Sequence, residues 1–340
     1  MKFGVQISRW RTGIPDIVQW VADEGDDLGI DSAWTSESYG GEAFTPLAWM
    51  AAKTTRMRLG TGIVAMPART PAATAMAAMT LDHISGGRVI LGLGVSGQKV
   101  AEGWYGQSFG KPLTRTREYV DVVRQAIRRT EPLHYEGDYY QVPPAGSTAR
   151  GLLCYMHPLR QEVPILLGSQ GPKNIALSAE IADGMVTGLF APKASSWYEK
   201  QLNTGFERAG FSSRKPGFEV AAIVDVRCGR TISEAAEPLR PTMAFYIAKM
   251  GLPGKNYYYD TFARLGFQEL CERVARTYND DGAEAAAALI PDEMIESIAL
   301  VGPPDKIQSD LKAWDDSVVD LMVLRGPDED IKTVLREALA

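Results

Sequence analysis

The sequence predicts an α/β chain closed as a (β/α)8 TIM barrel, with long insertions after strands four and seven. Three observations carry this. Short apolar, β-branched runs alternate with longer amphipathic ones. The first such units start near residues 3, 31, 58 and 88, the spacing that βαβ repetition produces. The strand runs number eight over the chain, and eight parallel units close into a barrel more readily than they stay open. Parallel strands covered on both faces read as continuous apolar runs, as Val89-Ile90-Leu91 and Leu321-Met322-Val323-Leu324 do. The competing architecture, an open doubly wound sheet, calls for Gly-x-Gly-x-x-Gly after its first strand. Gln6-Ile7-Ser8-Arg9-Trp10 stands there instead.

Taken in order, Phe3 to Ile7 forms strand one. A helix follows with Ile14, Val18, Val21 and Leu28 on one face, and Gly29 ends it. Asp31 to Thr35 is strand two. Thr45 caps the next helix, with Pro46 at its first position. Arg58 to Val64 is strand three. Pro71 opens an Ala- and Met-rich helix that stops before Gly86-Gly87, and Arg88 to Val95 is strand four. After the first long excursion come strand five (Val163 to Leu167), a helix from Pro172 to Ala182, strand six (Met185 to Leu189) and strand seven (Glu219 to Val226). A second, mostly helical excursion leads to a helix lined by Ile307, Leu311 and Trp314. Strand eight (Val318 to Leu324) and a helix from Asp328 close the chain. Excursions of this length act as lids, pocket walls or oligomer contacts. No linker divides residues 1–340, which read as a single barrel domain.

With 340 residues, 45% of them hydrophobic, the chain can bury a sizeable core. A net charge of −6 gives no bulk attraction to nucleic acid or an anionic membrane. Cys154, Cys228 and Cys271 are scattered, as free thiols of a reducing cytoplasm are. No apolar run of transmembrane or signal-peptide length occurs. His83, His134 and His157 lack metal-ligand spacing. The expectation is a cytoplasmic protein without a metal.

Active sites of such barrels lie at the carboxyl ends of the strands. Four loops fall there: Ser36 to Glu42, Gly62 to Pro67, Gly94 to Gln98, and Gly168 to Asn174. The last two are glycine-rich turns into helices, where backbone N–H groups and the helix dipole can meet a phosphate. Glycine at a strand–helix turn also serves the turn alone. His83 precedes strand four, toward the amino-end face, and reads as structural. Trp10, Trp104, Tyr105 and His157 are candidates for the pocket mouth, and Tyr257-Tyr258-Tyr259 for a cover or an interface.

These loops, in this order, resemble the luciferase-like superfamily, and within it the F420-dependent oxidoreductases. The carrying motifs are Leu59-Gly60-Thr61-Gly62-Ile63, Thr80-Leu81-Asp82-His83-Ile84-Ser85-Gly86-Gly87-Arg88, Leu91-Gly92-Leu93-Gly94, Gly168-Ser169-Gln170-Gly171-Pro172-Lys173 and Leu300-Val301-Gly302-Pro303-Pro304. Thr114 to Tyr119 adds the start of a family helix. The resemblance implies coenzyme F420 as cofactor, held at a strand-three bulge with a non-prolyl cis peptide at Gly62–Ile63, beside Val64. It implies that Glu37 and Ser38 stand at the ring edge. Ser38 occupies a place where sugar-phosphate dehydrogenases carry histidine, which puts their catalytic base and substrate in doubt. It further implies that Ser96, Gly97, Gln98, Gly168, Ser169, Gln170, Gly171 and Asn174 surround the ribityl chain and its phosphate, with Lys173 near the acidic tail. Glu37 and Tyr39 are the acid–base candidates. The implied activity is hydride transfer between the deazaflavin and a small organic substrate, in a homodimer. Two rivals stand beside it: an FMN-dependent monooxygenase on the same barrel, and a cofactor-free member kept for binding or structure.

Overall fold

The computed structural model describes residues 1–7, 12–37, 39–251 and 256–339. Eight parallel strands form a closed ring: β1 (Lys2–Gln6), β2 (Ser32–Thr35), β3 (Arg58–Thr61), β4 (Val89–Gly94), β5 (Ile165–Gly168), β6 (Gly184–Gly188), β7 (Glu219–Cys228) and β8 (Leu321–Arg325). Each pairs with the next, and β8 returns to β1 through Lys2↔Leu321 to Val5↔Leu324. The predicted TIM barrel is therefore present, with its excursions at residues 95–164 and 229–320.

Side chains alternate across the wall. Val5, Leu59, Leu91, Leu93, Leu167 and Val224 point outward into the main core beneath the helices. Trp34, Ile90, Leu166, Val186, Leu321 and Val323 fill the interior. Trp34 is fully buried, with its indole N–H donating to Ser32 Oγ at 2.8 Å. Its bulk explains two glycines. A Cβ on Gly60 would lie 2.6 Å from the indole, and one on Gly4 would lie 3.0 Å from its nitrogen.

The helices match their predicted positions, with two corrections. The first runs Asp16–Leu28 and buries Ile17, Val18, Trp20 and Val21; Ile14 precedes it and is exposed. Gly29 ends it in the left-handed conformation. The second, Phe44–Ala51, contains Thr45 instead of being capped by it. Glu42 supplies the cap, accepting from the N–H of Phe44 (2.8 Å) and Thr45 (2.7 Å). A carboxylate there meets both the free N–H groups and the helix dipole.

Three short strands were not predicted. Tyr135–Glu136 and Gln141–Val142 make a hairpin in the first excursion, and Ala299–Gly302 pairs with the far half of β7. Residues of the quoted motifs brace the barrel and pin its first excursion. Buried Asp82 accepts from Arg160 at 3.0 and 2.5 Å. Arg88 donates to the carbonyls of Ala51, Thr54, Met57 and Ser85. Glu118 accepts from the N–H groups of Asp138, Tyr139 and Tyr140 in the hairpin turn. The second excursion builds a core of its own, in which Met243, Phe262, Val274 and Ile295 pack with Leu189 at the end of β6.

At the amino ends of the strands, Arg58 bridges Asp31 (2.6 Å) and Glu219 (2.9 Å), and Lys2 also reaches Glu219 (3.0 Å). A cavity of about 260 Å³ opens there, lined by Lys2, Arg58, Glu162, Asp183 and Glu219. Charges at this face are paired with one another, the pattern expected of the stability end of a barrel. His83 bonds the His157 carbonyl at 2.8 Å beside the Asp82–Arg160 pair, so His157 belongs to this bracing and not to the pocket mouth. Among the described residues no helix is long and apolar enough to cross a membrane.

Candidate functional site at the carboxyl mouth

Five glycines set the shape of one half of the mouth. After Thr61, β3 is interrupted and resumes at Val64–Ala65, which pairs with Leu93 and Gly94 of β4. The Gly62–Ile63 peptide in this bulge is cis. The bulge is received by missing side chains. A Cβ on Gly92 would overlap the Thr61 carbonyl oxygen at 1.8 Å; one on Gly94 would sit 2.9 Å from the Ile63 side chain, and one on Gly168 3.1 Å from it. Thr61 Oγ1 locks the bulge, donating to the Gly92 carbonyl and accepting from the Gly92 N–H, both at 2.8 Å. Leu-Gly-Leu-Gly is thus a strand that alternates outward leucines with inward clearance for its neighbour. The Ile63 side chain thus lies over Gly94 and Gly168, and with open space at Gly188 of β6 the bulge forms the floor of the β3–β6 side of the mouth. Trp34 closes the barrel beneath it.

The opposite side is polar. By the same alternation, Gln6 of β1, Asp225 of β7 and Arg325 of β8 point inward at the rim. Asp225 and Arg325 are register partners and make a two-pronged ion pair at 2.7 and 2.5 Å. Burial opposes the Arg325 charge, but Asp225 outweighs it and holds the guanidinium firmly protonated. The stacked rings of Tyr246 and Tyr258, 4.6 Å apart, stand close to Arg325 from the second excursion.

Glu37 sits at the seam between the halves. It is buried, and its oxygens accept from the N–H of Ala65 (2.9 Å), the N–H of Ala43 (3.3 Å) and the guanidinium of Arg69. Burial pushes its carboxyl above the ordinary range, and these donors only partly offset the rise. Its visible work is to hold the resumed strand Val64–Ala65 against the loop after β2. Arg69 also bonds Glu42 at 3.3 Å and covers the Phe44 ring. Burial, and after it the Glu37 charge, push the Tyr105 phenol above its ordinary range. Trp104 and Tyr39 are exposed. Ser38 and Trp10 lie outside the described residues.

The two glycine turns are placed at the mouth but use their side chains inwardly. Ser96 takes a left-handed φ of 60°, Gly97 is exposed, and Gln98 bonds Glu102 at 3.1 Å. Ser169 Oγ pairs with Ser178 Oγ at 2.6 Å. Asn174 donates to the Gly168 carbonyl at 2.9 Å. Gln170 accepts from Thr187 and donates to Thr261, both at 3.1 Å. These turns therefore offer a ligand backbone N–H groups at the start of the helix Pro172–Ile181. Val64 is fully buried in the outer core, so only its backbone reaches the floor. The Tyr257 ring lies 3.7 Å from where a Gly171 Cβ would be, so the second excursion overhangs this turn. Arg264 over Trp197 (4.2 Å) and Lys193 over Phe267 (5.3 Å) tie that overhang to the segment after β6.

Comparison with known proteins gives this fold a family. A family model described as luciferase-like monooxygenase matches residues 8–321. A Mycobacterium tuberculosis protein assigned as a coenzyme F420-dependent oxidoreductase is 40% identical over 328 residues, covering 95% of this chain and 94% of the relative. A 5,10-methylenetetrahydromethanopterin reductase of Archaeoglobus fulgidus is 27% identical over 312 residues, covering 90% and 88%. Among solved structures, the coenzyme F420-dependent tetrahydromethanopterin reductase of Methanopyrus kandleri superposes with a TM-score of 0.78 at 24% identity, over 99% of this chain and 97% of that one.

Proposed function

The chain belongs to the luciferase-like monooxygenase family, and we propose on that premise that it is an oxidoreductase whose redox group is the deazaflavin coenzyme F420. The observation that carries the reading is the floor. Gly94 and Gly168 let the Gly62–Ile63 bulge settle into the wall over Trp34, and Gly188 leaves open space beside it, so this side of the mouth presents a low apolar surface made by the bulge itself. A flat tricyclic ring fits such a surface, and a ring of side chains would exclude it.

The coenzyme, when bound, supplies a ring carbon that exchanges hydride with an organic substrate; the protein supplies binding, orientation and shelter. Gly62, Ile63 and the Val64 backbone would back the ring, and Glu37 would fix that backing by its bonds to Ala65 and Arg69. The turns Ser96–Gln98 and Gly168–Gly171, with the start of the helix at Pro172, would take the ribityl phosphate on backbone N–H groups. Trp34 keeps water from approaching through the barrel. Hydride transfer depends on close, aligned approach, so the floor's rigidity is the main catalytic contribution of these residues. Tyr39, exposed at the rim, is the more accessible of the two acid–base candidates. A homodimer belongs to the same reading, and the exposed Leu152, Tyr155 and Leu159 offer it an apolar surface.

The floor would also accept the ring of FMN, which is the second reading; the names of the relatives favour F420. Titration of the purified protein with oxidised F420 and, separately, FMN, followed by fluorescence, decides between them. We expect micromolar or tighter F420 binding and much weaker FMN binding. The reverse order would move the protein to flavin chemistry, and binding of neither would leave it a cofactor-free member.

A further inference from the structure

The polar half of the mouth contains one group with an unmet bond. Gln6 is 7% exposed, and its Nε2 donates to Ser36 Oγ at 3.1 Å. Its Oε1 is buried and has no partner among the described residues, and it is the only such side-chain atom there. Whichever way the amide is turned, one polar end stays unpaired. Buried amides are rarely left so, because the loss is comparable to a whole hydrogen bond.

Its position says what it awaits. Gln6 follows Gly4, whose missing Cβ faces the Trp34 indole, so both lie on the inner wall. In the ring order, β1 stands across the barrel from β5, and it is Gly168 of β5 that receives Ile63 of the bulge. A ring lying on the glycine floor therefore keeps one face toward β7, β8 and β1. What fits between that face and Gln6 is the second reactant. On the neighbouring strands Asp225 and Arg325 neutralise each other through two bonds.

We propose that Gln6 is a substrate-contacting residue, whose amide holds the oxygen of an uncharged alcohol or carbonyl at the carbon that exchanges hydride, accepting an alcohol's O–H at Oε1 or, with the amide turned over, donating N–H to a carbonyl. The proposal rests on the F420 reading above. Arg325, the cation of the ion pair on this wall, is engaged by Asp225 and so is not free to take a phosphate or carboxylate. An amide does not titrate, so Gln6 orients the substrate oxygen and is not its proton source. In the reducing direction, the carbonyl carbon takes hydride from reduced F420 and its oxygen takes a proton from solvent.

The test compares the parent protein with Gln6→Met, which keeps the length and removes both polar ends. We expect the variant to bind oxidised F420 within about twofold of the parent, because the amide does not hold the ring. We expect its ligand-free melting temperature to be unchanged or higher, because a buried unpaired oxygen is gone. With reduced F420 and cyclohexanone as the probe, kcat/KM should fall about tenfold or more, the size of one lost hydrogen bond to a substrate. A tenfold weaker F420 Kd would overturn the proposal by placing the amide against the cofactor. A clear fall in melting temperature would overturn it by making the amide structural. Equal use of cyclohexanone by both proteins would also overturn it. Failure of the parent itself to bind F420 would instead remove the reading on which the proposal stands.

Discussion

At the level of single residues, the site depends on carboxylates whose partners differ in kind. Glu37 is engaged by two backbone N–H groups and Arg69, while burial raises its pKa. Glu37→Ala leaves those N–H groups without an acceptor and should cost about 1–3 kcal/mol in urea denaturation. Glu37→Gln keeps one acceptor and should cost less. The sign of its pH dependence follows from the raised folded value. Stability contributed by such a group is present below its ordinary value of 4.5 and is lost as pH rises through the folded value. The Gln penalty should therefore shrink from pH 4 to pH 7; a growing penalty would mean that Arg69 dominates burial. None of this was readable in the sequence. Glu37 was marked by its position after strand two, but its partners come from loops that only the fold brings together. Gln6 drew no attention as a site residue, since one glutamine in an apolar strand carries no pattern; only its unpaired oxygen singles it out.

At the level of elements, strand order and number were legible because parallel strands carry long apolar runs and glycine or proline marks their ends. The misread starts have a physical reason. Thr45-Pro46 looks like a cap and first position, yet the charged Glu42 carboxylate takes the N–H groups of Phe44 and Thr45 themselves and so starts the helix earlier. The short strands of the excursions are two to four residues long, too brief for a period-two signal. The glycine motifs were legible as features of the mouth, but their visible role is clearance for the bulge more than a cradle for phosphate. That difference can be tested at Gly168, where a Cβ would stand 3.1 Å from Ile63. Gly168→Val should crowd the floor by about 1–3 kcal/mol, weakening F420 binding roughly tenfold to a hundredfold. Circular dichroism should stay that of the parent. Unchanged F420 affinity in a folded variant would show that the ring does not lie on this floor.

For the whole molecule, the candidate site and the paired charges sit at opposite ends of the barrel. At the amino ends, burial alone would raise the pKa of Glu219, but Arg58 and Lys2 outweigh it and hold it below 4.5. Burial of Asp183 is likewise outweighed by Arg124, the Ile165 N–H and Lys215, so its pKa falls below 3.8. Carboxyls lowered in the folded state contribute stability that is present above their ordinary values and lost as pH falls through the folded ones. Global stability should therefore decline on acidification from about pH 4.5 downward, opposite in sign to the Glu37 contribution. Glu219→Gln should flatten that decline in a series of urea melts, with little change in F420 affinity at pH 7. An equally steep decline in the variant would move the acid sensitivity elsewhere.

The ten-residue β7 serves two neighbourhoods. Its first half lies in the barrel between β6 and β8, and its second half pairs with Ala299–Gly302. Gly229 and Gly302 meet through a 3.0 Å backbone bond, so residues 230–298 leave and rejoin the chain at one point. The excursion is thus a cassette on a clasp. Its two ends are fixed to each other whatever lies between them, and its length and lining can change without shifting the register of the barrel. Because this cassette brings Tyr246, Tyr257 and Tyr258 over the mouth, it is the natural unit of exchange by which one unchanged barrel mouth could be fitted to different ligands, in evolution or by grafting.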